Sequence, residues 1–244
     1  MAAIETDNLT KKYKDKTVVH SLNLVIEEGE LFSLLGLNGA GKSTVIKMLS
    51  CLTKPTSGDA SLLGESITKS PLKVKQIINV SPQETAIAPN LTVRENLELM
   101  CGIYGFDKTA TKQKTDSYIE SFGMTDIAKS KAKTLSGGWQ RRLSIAMALI
   151  TDPKILFLDE PTLGLDIVAR RELWQFIKRL KGKITIILTT HYLEEAEALS
   201  DRIGILSKGH LKAVGTAEEL KKEAKTDNFE DAFIVLSSEG GVLI

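Results

Sequence analysis

Three short stretches carry residues whose types and spacing suit phosphate chemistry. The first, Gly36-Leu37-Asn38-Gly39-Ala40-Gly41-Lys42-Ser43-Thr44, fits the G-x-x-x-x-G-K-[ST] pattern of a phosphate-binding loop. Glycines let backbone N–H groups approach phosphate oxygens, and the start of the following helix adds its positive dipole end. Lys42 is expected to reach the β- and γ-phosphates of a nucleotide, and the Ser43 hydroxyl to ligate Mg²⁺. The second stretch, Ile155-Leu156-Phe157-Leu158-Asp159-Glu160, is an apolar run that ends in two carboxylates. Open α/β sheets deliver ligand-binding groups at the carboxyl ends of their strands. Asp159 there would hold Mg²⁺, and Glu160 would polarise an attacking water as general base. An acidic turn after a strand is common by itself; beside a phosphate loop it points to nucleotide hydrolysis. The third stretch, Leu135-Ser136-Gly137-Gly138, opens a helical run, Leu143 to Ile150, and makes a second anion-binding nose. A chain with one complete phosphate cradle needs a second phosphate source, or a second copy of itself, to use it.

These residues must be held by particular elements. Short β-like runs cover Ala2 to Thr6, Thr17 to Ile26 and Leu31 to Leu35, the last feeding straight into the phosphate loop. A helix over Ser43 to Leu52 follows and stops at Lys54-Pro55-Thr56-Ser57-Gly58, and Ile77 to Val80 reads as a further strand. From about residue 92 to 150 the spacing turns helical, with Val93, Leu97 and Met100 on one face and Tyr118, Ile119 and Phe122 on another. Strand–helix alternation then returns: Ile155 to Leu158, helix Ile167 to Leu180, Ile184 to Thr189, helix Leu193 to Leu199, Ile203 to Leu206. That order predicts an α/β fold with a mostly parallel sheet into which a helical segment is inserted. Residues 216–244 read as a charged helix followed by an apolar segment, Phe229 to Leu236, with no assigned role.

Bulk composition narrows the partners. The chain has 244 residues, 42% hydrophobic and 26% charged, enough for a substantial core. A formal net charge of +1 offers no general basic field for nucleic acid. Two cysteines, Cys51 and Cys101, without paired spacing speak against a disulfide framework or a zinc site. The N-terminus has no basic and apolar leader, and no apolar run approaches the roughly 20 residues that cross a bilayer. The chain is therefore expected to be soluble, with any membrane role exercised through a partner.

With these motifs in order, the chain resembles the ATP-binding-cassette (ABC) ATPase family from about residue 9 to residue 215. Leu135 to Gly138 match the family's signature. Tyr13 stands where an aromatic stacks on adenine. Gln83, within Ser81-Pro82-Gln83-Glu84, matches the glutamine that touches Mg²⁺ and senses the membrane partner. Leu165-Asp166 match the end of the D-loop, and His191 matches the switch histidine that contacts the γ-phosphate and the attacking water. The resemblance implies a P-loop (RecA-like) sheet with an N-terminal antiparallel β subdomain and an inserted helical subdomain. It assigns residues 1–83 and 151–220 to the core, 84–150 to the helical subdomain and 221–244 to a tail.

The same resemblance implies ATP and Mg²⁺ as ligands. ATP would be bound by Tyr13, Gly36, Asn38, Gly39, Ala40, Gly41, Lys42, Ser43, Thr44 and Gln83, and by Ser136, Gly137, Gly138 and Asp166. Mg²⁺ would be held by Ser43, Gln83 and Asp159, with Lys42, Glu160 and His191 catalytic. Two cassettes, as a homodimer or heterodimer, would meet head to tail, so that one chain's Ser136 to Gly138 cap the ATP on the other's Lys42. Transmembrane permease subunits are the implied partners, on the cytoplasmic side of the cell membrane, and nucleic acid is not one.

Four residues depart from the family pattern: Leu37, Trp139, Leu163 and Ile167. Leu163 replaces a small or hydroxyl residue, which bears on how two sites communicate. A chromosome-structuring ATPase needs a long coiled coil between Gly41 and Leu135, and translation-factor relatives carry two cassettes; neither fits. A sugar-importer motor carries a long C-terminal regulatory domain, which this sequence does not show. The acidic-aromatic ending Asn228 to Ile234 is similar to that of exporters of drugs, sodium or peptide antibiotics, so an exporter motor is expected, with an iron–sulfur-assembly ATPase as the alternative. Beyond Gln83, apolar residues surround a Pro-containing loop, Ala86, Ile87, Ala88 and Pro89, then Leu91, Leu97, Leu99, Met100 and Tyr104. The loop residues Ala86 to Pro89 are expected on the surface, as a socket for a membrane subunit's coupling helix.

Overall fold

The computed structural model describes residues 1–238, and its organising element is a six-stranded sheet buried on both faces. Its strands are β3 (Leu31–Leu35), β6 (Ile78–Ser81), β7 (Ile155–Asp159), β8 (Thr185–Thr190), β9 (Arg202–Ser207) and β10 (His210–Gly215), in the order β10-β9-β3-β8-β7-β6. All neighbours pair in parallel except β10, which returns antiparallel along β9. The alternation within each strand explains why both faces are covered. Ile155 and Phe157 of β7 enter one apolar cluster, while Leu156 and Leu158 enter the other.

The first cluster is roofed by a separate four-stranded antiparallel sheet in the order β2-β1-β4-β5. Its strands are β1 (Ala2–Tyr13), β2 (Lys16–Glu27), β4 (Ser57–Leu62) and β5 (Glu65–Ser66). Helix α1 (Lys42–Leu49) lies between the two sheets and buries Val45, Ile46, Met48 and Leu49. On the opposite face pack α3 (Val93–Ile103), α4 (Lys108–Ser121), α5 (Gly137–Leu149) and α6 (Ile167–Leu180). Helix α3 is started by a reciprocal capping box between Thr92 and Glu95 and buries Val93, Leu97 and Cys101 at four-residue intervals. The expected mostly parallel sheet, antiparallel N-terminal layer and helical insertion are all present.

Several elements differ from the sequence reading. Strand β1 runs on to Tyr13 instead of stopping near Thr6, because its long pairing with β2 and β4 carries it past Asn8, which adopts a positive φ at a register shift. Helix α2 (Pro71–Ile77), β4, β5 and β10 are short elements with little periodicity. The apolar segment after residue 228 is a helix, α9 (Phe229–Ser237), capped by Asn228. With α7 (Leu193–Leu199) and α8 (Ala217–Ala224) it closes a third cluster over β9 and β10, burying Phe229, Ala232 and Phe233. Cys51 and Cys101 are both free thiols. Among the described residues no helix is long and apolar enough to cross a membrane.

Candidate nucleotide site

The ends of β3, β7 and β8 lie side by side, and the residues that follow them meet in one cleft of about 400 Å³. Asn38 to Thr44 form one wall; Gln83, Glu160, Leu163 and His191 form the other, with Val18 from β2 at the edge. The loop backbone needs its glycines. A Cβ on Gly36 would stand 2.3 Å from the Leu206 carbonyl oxygen, and Gly41 has a φ of +108° at the start of α1. The amides from Gly39 onward and the first turn of α1 thereby face the cleft as an anion cradle.

Three side chains converge at the floor. The Lys42 ammonium, 6% exposed, donates to the carbonyl of Gly36 at 2.7 Å and pairs with Glu160 Oε1 at 3.1 Å. The other carboxylate oxygen of Glu160 lies 2.7 Å from His191 Nδ1. Glu160 itself sits at a φ of +49°, held there by its backbone N–H, which donates to the carbonyl and the hydroxyl of Thr189 at 3.1 Å each. A non-glycine residue in the left-handed region is a local cost that surrounding contacts must over-determine, and such positions gather at functional sites. Beside this group the Ser43 hydroxyl donates to Asp159 Oδ1 at 3.2 Å, and the Thr189 hydroxyl donates to the same oxygen at 2.5 Å.

The oxygen donors Ser43 Oγ and Asp159 Oδ1 suit Mg²⁺, a hard cation that takes one or two protein ligands beside substrate phosphates. Among the described residues no cluster of three or more His, Cys, Asp or Glu could hold a softer metal. The donor set and the cradle therefore fit a magnesium–nucleotide complex.

Other expected residues stand outside the cleft. Tyr13 ends β1 with 45% of its surface exposed and the Lys11 ammonium 4.9 Å over its ring. Ser136, Gly137 and Gly138 open α5 away from the phosphate loop, where Gly138 approaches Ala169 of α6 so closely that a Cβ would lie 2.9 Å from the alanine's. Asp166 caps α6, accepting from the backbone of Val168 and Ala169 at 2.9 Å each. The cleft of one chain thus contains the phosphate loop, Gln83, Glu160 and His191, and it lacks the signature residues.

Two participants were not anticipated. Thr189 pairs with Asp159 across the parallel ladder, a neighbour that the strand register makes inevitable once β7 and β8 are adjacent. Arg141, 4% exposed on α5, donates to the carbonyls of Pro82 and Gln83 at 2.5 Å each and to that of Glu160 at 3.3 Å. Its sequence signal was only an arginine pair, Arg141-Arg142, between the signature and the helical run from Leu143 to Ile150. Burial lowers the pKa of its guanidinium, while Asp159 and Glu195 work in the opposite sense.

Known proteins resemble this chain over most of its length. The family model described as ABC transporter matches residues 19–163. The chain is 41% identical over 239 residues to the Probable multidrug ABC transporter ATP-binding protein YbhF of Escherichia coli, covering 96% of this chain and 41% of that protein. It thus spans less than half the length of that relative. It is also 41% identical over 218 residues to the Linearmycin resistance ATP-binding protein LnrL of Bacillus subtilis, covering 89% of this chain and 70% of the relative. A solved dimer of the ATP-binding cassette MJ0796, in a post-hydrolysis state bound to ADP and Pi, superposes with a TM-score of 0.78 at 28% identity, over 87% of this chain and 98% of that one. With the phosphate loop, Glu160 and His191 gathered in one cleft, and with matches of this extent, the chain belongs to the ABC transporter family.

Proposed function

We propose that this chain binds ATP with Mg²⁺ and hydrolyses it in a cleft that a second cassette completes, driving export through separate membrane subunits. The observation that carries the reading is the buried carboxylate of Glu160, held between Lys42 and His191 at the end of the phosphate loop. Ser43 and Asp159 would hold Mg²⁺, which when bound neutralises charge on the β- and γ-phosphates. Lys42 exchanges its pairing with Glu160 for a phosphate oxygen, another charge-assisted contact. Glu160 is then free to accept a proton from the attacking water, and His191 orients the pair. Gln83 lines the same cleft on an exposed loop and is placed to report occupancy to a neighbour.

Ser136 to Gly138 lie outside their own chain's cleft, so they serve a nucleotide held by the partner cassette, for which a second copy of this chain is the simplest choice. The dimeric state of the MJ0796 cassette supports that arrangement. Tyr13 flanks the adenine end, and Asp166 sets the turn that faces the partner. Residues 84–150 act as the moving helical unit on a core of 1–83 and 151–220. Export is supported by relatives named for multidrug transport and linearmycin resistance.

The membrane contact falls on the end of α3, where Leu99, Ile103 and Tyr104 are exposed and the Tyr104 hydroxyl reaches Asn79 of β6 at 3.4 Å. Ile87 in the adjoining loop packs partly into the core, while Ala86 and Pro89 beside it are exposed. Such subunits hold the chain at the cytoplasmic face of the membrane. The test is phosphate release from ATP by Lys42→Ala: loss of turnover in a folded protein is expected, and turnover at the wild-type rate would refute the site.

A further inference from the structure

Four residues beyond His191 the chain buries a carboxylate that hydrolysis does not use. Glu195 on α7 has no solvent exposure, and its Oε1 accepts the indole N–H of Trp174 on α6 at 3.0 Å. Its Oε2 and the Thr162 hydroxyl are both buried without a hydrogen bond of good geometry. Burial raises the carboxyl's pKa; the neighbouring Thr190, Thr162 and Trp174 groups oppose that rise, and the charge of Glu160 adds to it. Keeping a carboxylate in such surroundings is costly, which asks what it holds in place.

A second contact from the same helix answers. Arg170 lies one turn before Trp174 on the same face of α6, with its guanidinium carbon 4.6 Å over the Tyr192 ring. The Tyr192 ring packs on the imidazole of His191 with centroids 4.2 Å apart. The turn between them is fixed by the Tyr192 N–H, which donates to the Thr190 hydroxyl at 2.9 Å. Helix α6 therefore grips the His191 turn at two points, by a stack at Tyr192 and by a hydrogen bond at Glu195. The same helix begins at Asp166, beside the exposed Leu163, Ile167 and Val168.

We propose that Glu195 and Trp174 are positioning residues that hold His191 against Glu160, so that the histidine follows α6 rather than its own strand. The proposal rests on the roles given above to His191 and Glu160. A shift of the imidazole by even a fraction of its 2.7 Å contact with Glu160 would misalign the pair.

A double-mutant cycle on steady-state ATP hydrolysis by the purified chain tests it. Glu195→Ala is expected to lower kcat about 10-fold or more, the scale of a sub-ångström misplacement, with KM changed less than about 2-fold. Glu195→Gln restores kcat, since a carboxamide oxygen still accepts from the indole and its NH₂ donates to a threonine hydroxyl. In a His191→Ala background Glu195→Ala has no further effect. Trp174→Phe keeps an aromatic ring, removes the donor and behaves like Glu195→Ala; it carries the comparison if that variant does not fold. An equal loss from Glu195→Ala with and without His191, or wild-type kcat in both Glu195→Ala and Trp174→Phe, would overturn the proposal. Wild-type turnover by His191→Ala alone would instead overturn the role of the histidine, and the proposal with it.

Discussion

Replacing Glu160 by glutamine separates chemistry from binding at this site. The amide keeps the shape and one acceptor of a side chain that is 6% exposed, but it neither carries a charge nor takes a proton. Loss of a general base lowers the rate about 10²- to 10⁴-fold, or about 2.7 to 5.4 kcal/mol in the barrier. The second consequence lies in the ground state. Lys42 retains the carbonyls of Gly36 at 2.7 Å and Leu37 at 3.4 Å but loses its counter-charge at 3.1 Å. Breaking a buried pair by removing one partner costs about 3 to 5 kcal/mol, and the amide oxygen still offers Lys42 a hydrogen bond, so roughly 1 to 3 kcal/mol of stability is lost without nucleotide. A triphosphate supplies the missing charge. ATP should therefore stabilise Glu160→Gln more than it stabilises the wild type, with about 2.7 kcal/mol available from any ligand at 100 times its Kd. Single-turnover phosphate release and thermal unfolding with and without ATP and Mg²⁺ measure both effects. Wild-type turnover, or equal ATP-induced shifts in Tm for the two proteins, would refute the assignment of Glu160 as the base paired to Lys42.

Two further outcomes follow from the neighbouring contacts. Thr189→Val removes the hydroxyl that donates to Asp159 Oδ1 and should raise the Mg²⁺ concentration for half-maximal hydrolysis by about 10-fold or more, as loss of an outer-shell partner does; a magnesium titration of the rate checks it. Ile103→Asp places a charge on a side chain that is 66% exposed, so folding and ATP hydrolysis by the isolated chain should stay unchanged while co-purification with membrane subunits is lost; retained co-purification would move the docking surface elsewhere.

The parts of this molecule that were legible in the sequence are those fixed by local chemistry. The phosphate loop declares itself because glycine spacing, lysine and hydroxyl occur together between a strand and a helix, and Asp159 and Glu160 because a buried strand must end somewhere polar. Strands β3, β7 and β8 are short, fully buried and mainly apolar or β-branched, and the sequence reading places them to within a residue or so. Elements stabilised by pairing rather than by pattern escaped. Strand β10 is an edge strand fixed by β9, and β4 and β5 carry polar residues on their open sides. Val18 enters the cleft because β2, paired locally with β1, packs its backbone against Gly41 of the phosphate loop, a tertiary contact with no local signal. Arg141 could not be singled out because its three acceptors are backbone carbonyls, which have no residue identity to read. Helix α9 was visible as apolar but not as helical, since nothing local says that β9 and β10 leave a face for Phe229 and Phe233 to cover.

Mixing two inactive chains tests most directly whether a second copy completes the cleft. Lys42→Ala lacks the phosphate-binding ammonium, and Ser136→Arg puts a bulky cation at the α5 nose. Each alone should be inactive, the first for want of binding and the second for want of a usable cap. In a head-to-tail pair of the two, one cleft combines the intact Lys42 of one chain with the intact Ser136 of the other. An equal mixture should therefore recover roughly a quarter of wild-type ATP hydrolysis if chains pair at random and sites act independently. No recovery on mixing, with both proteins folded and Ser136→Arg still binding ATP, would contradict a site shared between two copies of this chain.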